Sequence, residues 1–296
     1  MTTTYTSSTL PTPVDGLPLT TYAWPDPVEL RGVVQISHGL AEHAARYDRL
    51  AAALISAGFA VRSHDHRGHG ASVGNGVSLG SFGEAGWDGL VADLVTVSRA
   101  VGAEHPELPL FLIGHSMGSF ALQQAIVDYS ELYRGVVLSG TTALDVMAAA
   151  MAENPQPDDE PGELSSFNAG FEHRTGYEWL SRDQAEVDLY VADPLCGFPT
   201  EPDVLPQIFG SNAPRLADPA VLSRIRSDLP ILVTSGDADP LSGGGQLVEL
   251  VGRRYREAGV TDVTVKLYPQ ARHEIFNETN REEVTADVID WLLDHI

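Results

Sequence analysis

The chain is expected to be an α/β protein, a mostly parallel, doubly wound sheet with an inserted helical cap. Three observations lead there. Short apolar runs alternate with helical patterns through both ends of the chain, the arrangement that builds parallel strands joined by helices. That alternation stops after Ser139-Gly140 and resumes at Pro230; the 90 residues between are rich in Pro, Asp and Glu and too long for a plain connection. Finally, Gly114-His115-Ser116-Met117-Gly118 sits between an apolar run and a helical pattern, a glycine-flanked turn from strand to helix.

In chain order, Leu17–Trp24 is expected as an antiparallel edge strand. The core strands are Val33–Ser37, Ala60–Ser63, Leu110–Ile113, Gly135–Ser139, Ile231–Ser235 and Val263–Leu267, all short, apolar and β-branched-rich or alternating. Helices are expected over Arg46–Ala57, Trp87–Glu104, Ser116–Asp128, Leu241–Glu257 and Asn280–Asp294. The domains then follow: residues 1–139 and 230–296 form the core, and 140–229, with the acidic, proline-rich run 154–162, form the cap. A chain of 296 residues exceeds the usual single-domain size, but a sheet with an inserted lid accommodates it.

Composition narrows the partners. Forty-one acidic against 18 basic residues give a net charge of −23, which argues against nucleic acid or an anionic membrane, since phosphate binding needs a basic face. The single cysteine, Cys196, excludes an internal disulfide and fits a reducing compartment. Met1–Pro13 is Thr/Ser/Pro-rich without a basic start or apolar run, so it does not read as a signal peptide. No stretch approaches the ~20 apolar residues of a membrane span. A cytoplasmic monomer or homodimer without stable membrane insertion is expected.

The chemistry is read from three loops. A serine between glycines at a strand-to-helix turn is the nucleophile-elbow pattern G-x-S-x-G. The turn is so tight that side chains two positions either side of Ser116 would collide with neighbouring backbone, and it places the hydroxyl at a helix N-terminus, where free N–H groups favour negative charge. Such a serine needs a base, and the base an orienting carboxylate, in the chain order Ser, Asp or Glu, His. The strand at Pro230–Ser235 runs into Gly236-Asp237-Ala238-Asp239, and that at Val263–Tyr268 into Pro269-Gln270-Ala271-Arg272-His273. Ser116, Asp239 and His273 are the candidate triad, with Asp237 as the alternative acid. The strand Arg31–Ser37 ends in His38-Gly39-Leu40, and the backbone N–H groups of Leu40 and Met117 are the candidate oxyanion donors.

With these residues in place, the chain resembles the α/β-hydrolases, in the branch of monoglyceride lipases, bacterial lysophospholipases and related carboxylic-ester hydrolases. The resemblance rests on His38-Gly39-Leu40-Ala41-Glu42-His43 with Arg46-Tyr47, Asp65-His66-Arg67-Gly68-His69-Gly70-Ala71-Ser72, Gly114–Gly118, and Asp239 with His273. The cap segments Trp179–Asp183 and Tyr190–Gly197 also resemble lysophospholipase members, so the likeness runs from about Leu17 to Ile296. It implies a serine ester hydrolase working through an acyl-enzyme, with a small-molecule ester as partner and no cofactor or metal. The gly-x-x-Asp pattern of the family, starting from Gly236, selects Asp239 over Asp237. Glu42 and Arg46 match the family's polar entrance segment. Where monoglyceride lipases commonly carry a second histidine, three residues past the base, this chain has Phe276; these three are the candidate substrate-binding residues. Met147 and Met151, one turn apart, would offer a flexible apolar lining. The implied substrates are monoacylglycerol- or lysophospholipid-like monoacyl esters of short to medium chain, or small and aromatic-acid esters.

Two readings of other classes stand beside this one. His64-Asp65-His66-Arg67-Gly68-His69 resembles the His-x-His-x-Asp-His run of zinc-dependent hydrolases, but Gly68 replaces the aspartate and Arg67 sets a cation where the metal would lie. A non-catalytic binding protein on the same fold is the other, since fold alone does not establish chemistry.

Overall fold

Neighbouring residues along each central strand face opposite apolar layers, and this alternation sets the architecture. Val33, Leu110, Leu112, Val136, Leu138, Ile231 and Val233 belong to one buried cluster; Val34, Ile36, Phe111, Ile113, Val137 and Leu232 belong to another. The computed structural model describes residues 4–153, 163–210 and 213–296. The acidic run 154–162, expected within the cap, lies outside the described residues.

The elements follow in order as β1 (Thr6–Pro11), β2 (Pro18–Ala23), β3 (Gly32–Ser37), α1 (Asp48–Ser56), β4 (Phe59–His64), α2 (Gly86–Glu104), β5 (Leu110–His115), α3 (Met117–Tyr129) and β6 (Gly135–Ser139). Then come α4 (Leu144–Glu153), α5 (Gln184–Ala192), α6 (Val204–Phe209) and α7 (Pro219–Leu222), before β7 (Ile231–Gly236), α8 (Gln246–Glu257), β8 (Val263–Tyr268) and α9 (Arg281–Asp294). Among the described residues the sheet order is β1-β2-β4-β3-β5-β6-β7-β8. From β4 to β8 the pairings are parallel, while β2 meets both β1 and β4 antiparallel. Strands β3 to β7 are buried throughout, as a parallel sheet between two helical layers requires. Buried residues of α2, α3 and α8 pack in the first cluster, and those of α1 and α9 in the second.

Two expectations need correction. Leu17–Trp24 does pair antiparallel, but it is not the edge: β1 lies outside it in full register, Thr6 opposite Ala23 through to Pro11 opposite Pro18. Almost all of β1 is exposed, so it carries no apolar alternation and reads as a polar tail. The helix expected from Leu241 starts instead at Gln246. Gly243, Gly244 and Gly245 all take positive φ (58°, 66° and 87°), left-handed backbone that interrupts a right-handed helix.

Residues 140–229 connect β6 to its immediate neighbour β7. Their apolar side chains, among them Leu144, Met147, Trp179, Tyr190, Val204 and Ile208, join the cluster that α2 and α3 already fill. The described residues of the segment extend the first apolar layer.

Candidate active site

Four loops meet at the carboxyl ends of β3, β5, β7 and β8, where open α/β sheets place their ligand crevices. Ser116 follows β5 directly, in a backbone conformation with φ 51° and ψ −122° that a non-glycine residue rarely adopts. Its amide donates to the Ser139 carbonyl of the next strand at 2.9 Å, and its own carbonyl starts α3 by accepting from Ser119 and Phe120. The flanking glycines are steric requirements. A Cβ on Gly118 would lie 2.2 Å from the Ser37 carbonyl oxygen, and one on Gly114 would lie 2.7 Å from that of Gly118. The strained turn is therefore clamped between β3 and the first turn of its own helix.

His273 and Asp239 meet across the ends of β8 and β7: the imidazole Nδ1–H donates to Asp239 Oδ2 at 2.9 Å, and both side chains are buried. The same carboxylate accepts from Ser235 Oγ (2.7 Å) and from the Leu241 amide (2.9 Å). Burial works against the Asp239 charge, but His273 and these donors outweigh it and hold the carboxyl below its usual range. For His273, burial would lower the imidazole; the facing Asp239 carboxylate overcomes that and raises it. Asp237 is turned away and accepts from the Gln270 amide in the neighbouring loop.

Ser116 and His273 line one pocket with Gly39, Leu40, Glu42, His115, Leu164, Trp179, Leu180, Tyr190 and Glu274. Water-accessible space inside is only about 20 Å³, little more than one water molecule. Trp179 closes it over the base, its ring 4.8 Å from that of His273 and its carbonyl accepting from the His273 amide. His115, the residue before the serine, lies 4.8 Å from His273 on another side. Burial, with the nearby His273, pushes His115 down to about 4, so it is neutral at physiological pH.

Both candidate oxyanion residues lie close to the serine. Met117 opens α3 beside the serine, and Leu40 lies in the pocket wall on the loop after β3. His38 fastens that loop: it accepts from the His66 amide at Nε2 (2.9 Å) and donates from Nδ1 to the Gly39 carbonyl (2.8 Å). Both ring nitrogens are used, so His38 shapes the loop.

The candidate substrate-binding residues divide. Glu42 lines the pocket but is tied down by the Gly39 amide, Tyr47 Oη (2.8 Å) and Arg46. Burial disfavours its charge, yet Arg46 and neighbouring histidines hold it down at about 2. Arg46 also grips Glu274 through two bonds of 2.7 and 2.8 Å. Glu274, in the pocket wall directly after the base, was not singled out by the sequence; its partner is 228 residues away, and no local pattern marks it. Phe276 packs into the second apolar cluster beneath the loop and does not line the pocket. Met147 is buried in the first cluster and Met151 packs against it, neither reaching the pocket.

The histidine run does not form a chelating set. His66 Nε2 pairs with Ser37 Oγ and His69 Nδ1 with the Arg67 carbonyl, while Arg67 is held by Asp93 and Asp15. Among the described residues, the donor atoms of His64, His66 and His69 do not converge.

Comparison with known proteins identifies the family. The profile of the family Hydrolase_4, described as serine aminopeptidase, S33, matches residues 28–280. The chain is 32% identical over 292 residues to a monoacylglycerol lipase of Mycolicibacterium smegmatis, covering 96% of this chain and 95% of that one. It is 30% identical over 271 residues to the monoglyceride lipase of Rattus norvegicus, covering 88% and 80%. A thermostable carboxyl esterase from Bacillus coagulans, solved with glycerol, superposes with a TM-score of 0.80 at 26% identity over 98% of both chains. A monoglyceride lipase variant from Saccharomyces cerevisiae shares the fold, with a TM-score of 0.75 at 21% identity, covering 100% of this chain and 98% of that one. The chain belongs to the α/β-hydrolase family, as a serine ester hydrolase of the monoglyceride lipase-like branch.

Proposed function

We propose that the protein hydrolyses monoacyl esters, monoacylglycerol- or lysophospholipid-like, through an acyl-enzyme on Ser116. The observation that carries this is the His273–Asp239 bond at 2.9 Å, opening onto the same pocket as a serine held in a strained elbow. His273 takes the Ser116 proton at Nε2 as the hydroxyl attacks the ester carbonyl. Asp239 fixes the tautomer through Nδ1 and stabilises the imidazolium. The Leu40 and Met117 amides receive the oxyanion. His273 returns the proton to the departing alcohol, then activates water to release the acid. No step calls on a metal or cofactor.

Residues 140–229 act as a cap on a core made of 1–139 and 230–296. That segment contributes Leu164, Trp179, Leu180 and Tyr190 to the wall of the serine pocket, where they would contact the acyl chain. The relatives named for monoacylglycerol favour that ester class over small aromatic esters. With Phe276 in the core, the alcohol end of the substrate faces the Glu42, Arg46 and Glu274 cluster.

The test is a p-nitrophenyl and monoacylglycerol chain-length series on wild type and Ser116→Ala. Turnover should peak at short to medium chains and fall beyond, as each buried methylene adds about 0.8 kcal/mol until the pocket ends. Ser116→Ala should lose about 10⁴-fold or more while staying folded. Retained activity in the folded mutant would overturn the mechanism; rates still climbing at long chains would overturn the substrate range.

A further inference from the structure

Where the cap segment meets the core, three side chains of different chemistry converge outside the pocket. His43 comes from the loop after β3, in extended backbone just before the 3-10 turn Ala44–Tyr47. Asp193 ends α5, and Cys196 follows it by three residues in a tight turn whose Cys196 amide donates to the Asp193 carbonyl at 3.0 Å. An Asp-x-x-Cys turn puts carboxylate and thiol on one side. The turn is pinned to the core loop, since the Ala41 carbonyl accepts both the Gly197 amide and Tyr190 Oη at 2.9 Å. One nitrogen, one sulfur and one oxygen atom from His43, Cys196 and Asp193 thus lie within 4.8 Å of one another.

The geometry points to a transition-metal site at His43, Asp193 and Cys196, of the zinc class, that staples cap to core. Tetrahedral zinc with ligands at about 2.0–2.3 Å needs donors roughly 3.5 Å apart, so side-chain adjustments of about an ångström complete the set. Imidazole, thiolate and carboxylate together suit zinc or cobalt and not magnesium or calcium. The Asp193 side chain is 31% exposed, which gives an ion its way in, while His43 (12%) and Cys196 are sheltered. As the metal–sulfur bond forms, the thiol proton leaves to solvent; the imidazole proton moves from His43 Nε2 to Nδ1, so that the His43–Asp193 hydrogen bond of 2.9 Å is exchanged for two metal bonds. The fourth position stays open to water.

The functional consequence is inhibition. The cap segment supplies Leu164, Trp179, Leu180 and Tyr190 to the serine pocket, and a metal here ties that segment to the loop carrying Leu40 and fixes those walls. The site goes beyond the ester chemistry and does not depend on which ester is cleaved.

The experiment uses the full chain, stripped with chelator and titrated with Co²⁺ followed by absorbance. Because the chain holds one cysteine, a thiolate-to-cobalt charge-transfer band identifies Cys196 by itself. We expect one equivalent bound with that band, its loss in Cys196→Ser, and affinity weakened about tenfold or more in His43→Ala. Asp193→Asn, whose amide oxygen still accepts from the Leu195 amide as Asp193 Oδ1 does now, serves if His43→Ala fails to fold. Zn²⁺ should slow ester turnover in wild type, reversibly with chelator, and leave Cys196→Ser unaffected. A folded wild type with no charge-transfer band, or unchanged affinity in both the His43 and Asp193 variants, overturns the site. Zinc inhibition that persists in Cys196→Ser overturns the stapling role.

Discussion

Two aspartates two residues apart receive opposite assignments from their hydrogen bonds. Asp239 faces His273, Ser235 and the Leu241 amide; the Asp237 carboxylate accepts from the Gln270 amide of the neighbouring loop. Asp239→Asn would present an amide that supports the wrong imidazole tautomer, and turnover should fall about 10⁴-fold. Asp237→Asn keeps an acceptor for the Gln270 amide and should cost far less. Steady-state kinetics on both variants decides the matter, and the reverse ranking would reassign the acid. At this scale the sequence was most informative where a role needs only neighbours in the chain. Ser116 declares itself through Gly114 and Gly118, and His273 through the strand before it. The Arg46–Glu274 pair was hidden because its halves lie 228 residues apart. Phe276 misled for a different reason: its spacing from the base is visible in sequence, but the turn that tucks it under the loop is not.

Among the elements, the elbow illustrates how packing overrides propensity. Gly118 lies in the first turn of α3, where alanine is worth about 1 kcal/mol more as a helix former. Yet the Cβ would meet backbone oxygens at 2.2 and 2.6 Å, those of Ser37 and His38, neither of which can rotate away. Gly118→Ala should therefore displace the serine turn by a sizeable fraction of an ångström or more, with turnover falling about 10²-fold. Circular dichroism should show the fold retained. Full activity would mean that the two strands separate more readily than their pairing implies. The fully buried strands β3 to β7 were legible as apolar runs, since burial on both faces leaves no ambiguity of pattern. The exposed β1 and the delayed start of α8 were not. One depends on a partner strand for its structure, and the other on three consecutive glycines whose φ values the sequence permits without dictating.

Over the whole molecule, buried histidines set the acid limit. Burial pushes His64 and His69 down to about 3 and His115 to about 4, and it lowers His38 and His66 as well. A depressed imidazole is neutral in the folded chain while the unfolded chain protonates near its ordinary value of about 6.5, so stability falls as pH drops below that point. The lowered carboxyls act in the same direction further down. Glu42 and Glu178, both held at about 2, contribute stability above about 4.5 that is lost as pH falls toward 2. His273, raised by Asp239, opposes the trend, as its contribution is full below about 6.5 and fades as pH rises through its folded value. Five imidazoles against one decide the balance. The melting temperature, followed by calorimetry from pH 8 to 4, should decline steeply once below about 6.5. A flat profile would show that these rings are hydrated and free to protonate in place. Among the described residues no helix is long and apolar enough to cross a membrane.

The ribbon formed by β1 and β2 bears on colloidal behaviour. An open sheet border is a template on which other chains can add, and proteins blunt it with polar, twisted or proline-terminated strands. Here Thr6, Ser7, Ser8 and Thr9 form that border, ending at Pro11, while the strand behind them carries Leu19, Tyr22 and the adjoining Trp24, all buried. Tyr5 rests edge-on against both rings, at 5.0 and 5.6 Å. Deleting residues 1–11 leaves every group of the pocket in place and uncovers an apolar, hydrogen-bond-hungry margin. Such a variant should keep its specific activity when freshly prepared yet scatter light and gain thioflavin fluorescence on standing, with lag times that shorten as protein concentration rises. The first eleven residues would then act as a built-in guard against fibril growth, a role separable from turnover by a storage assay alone.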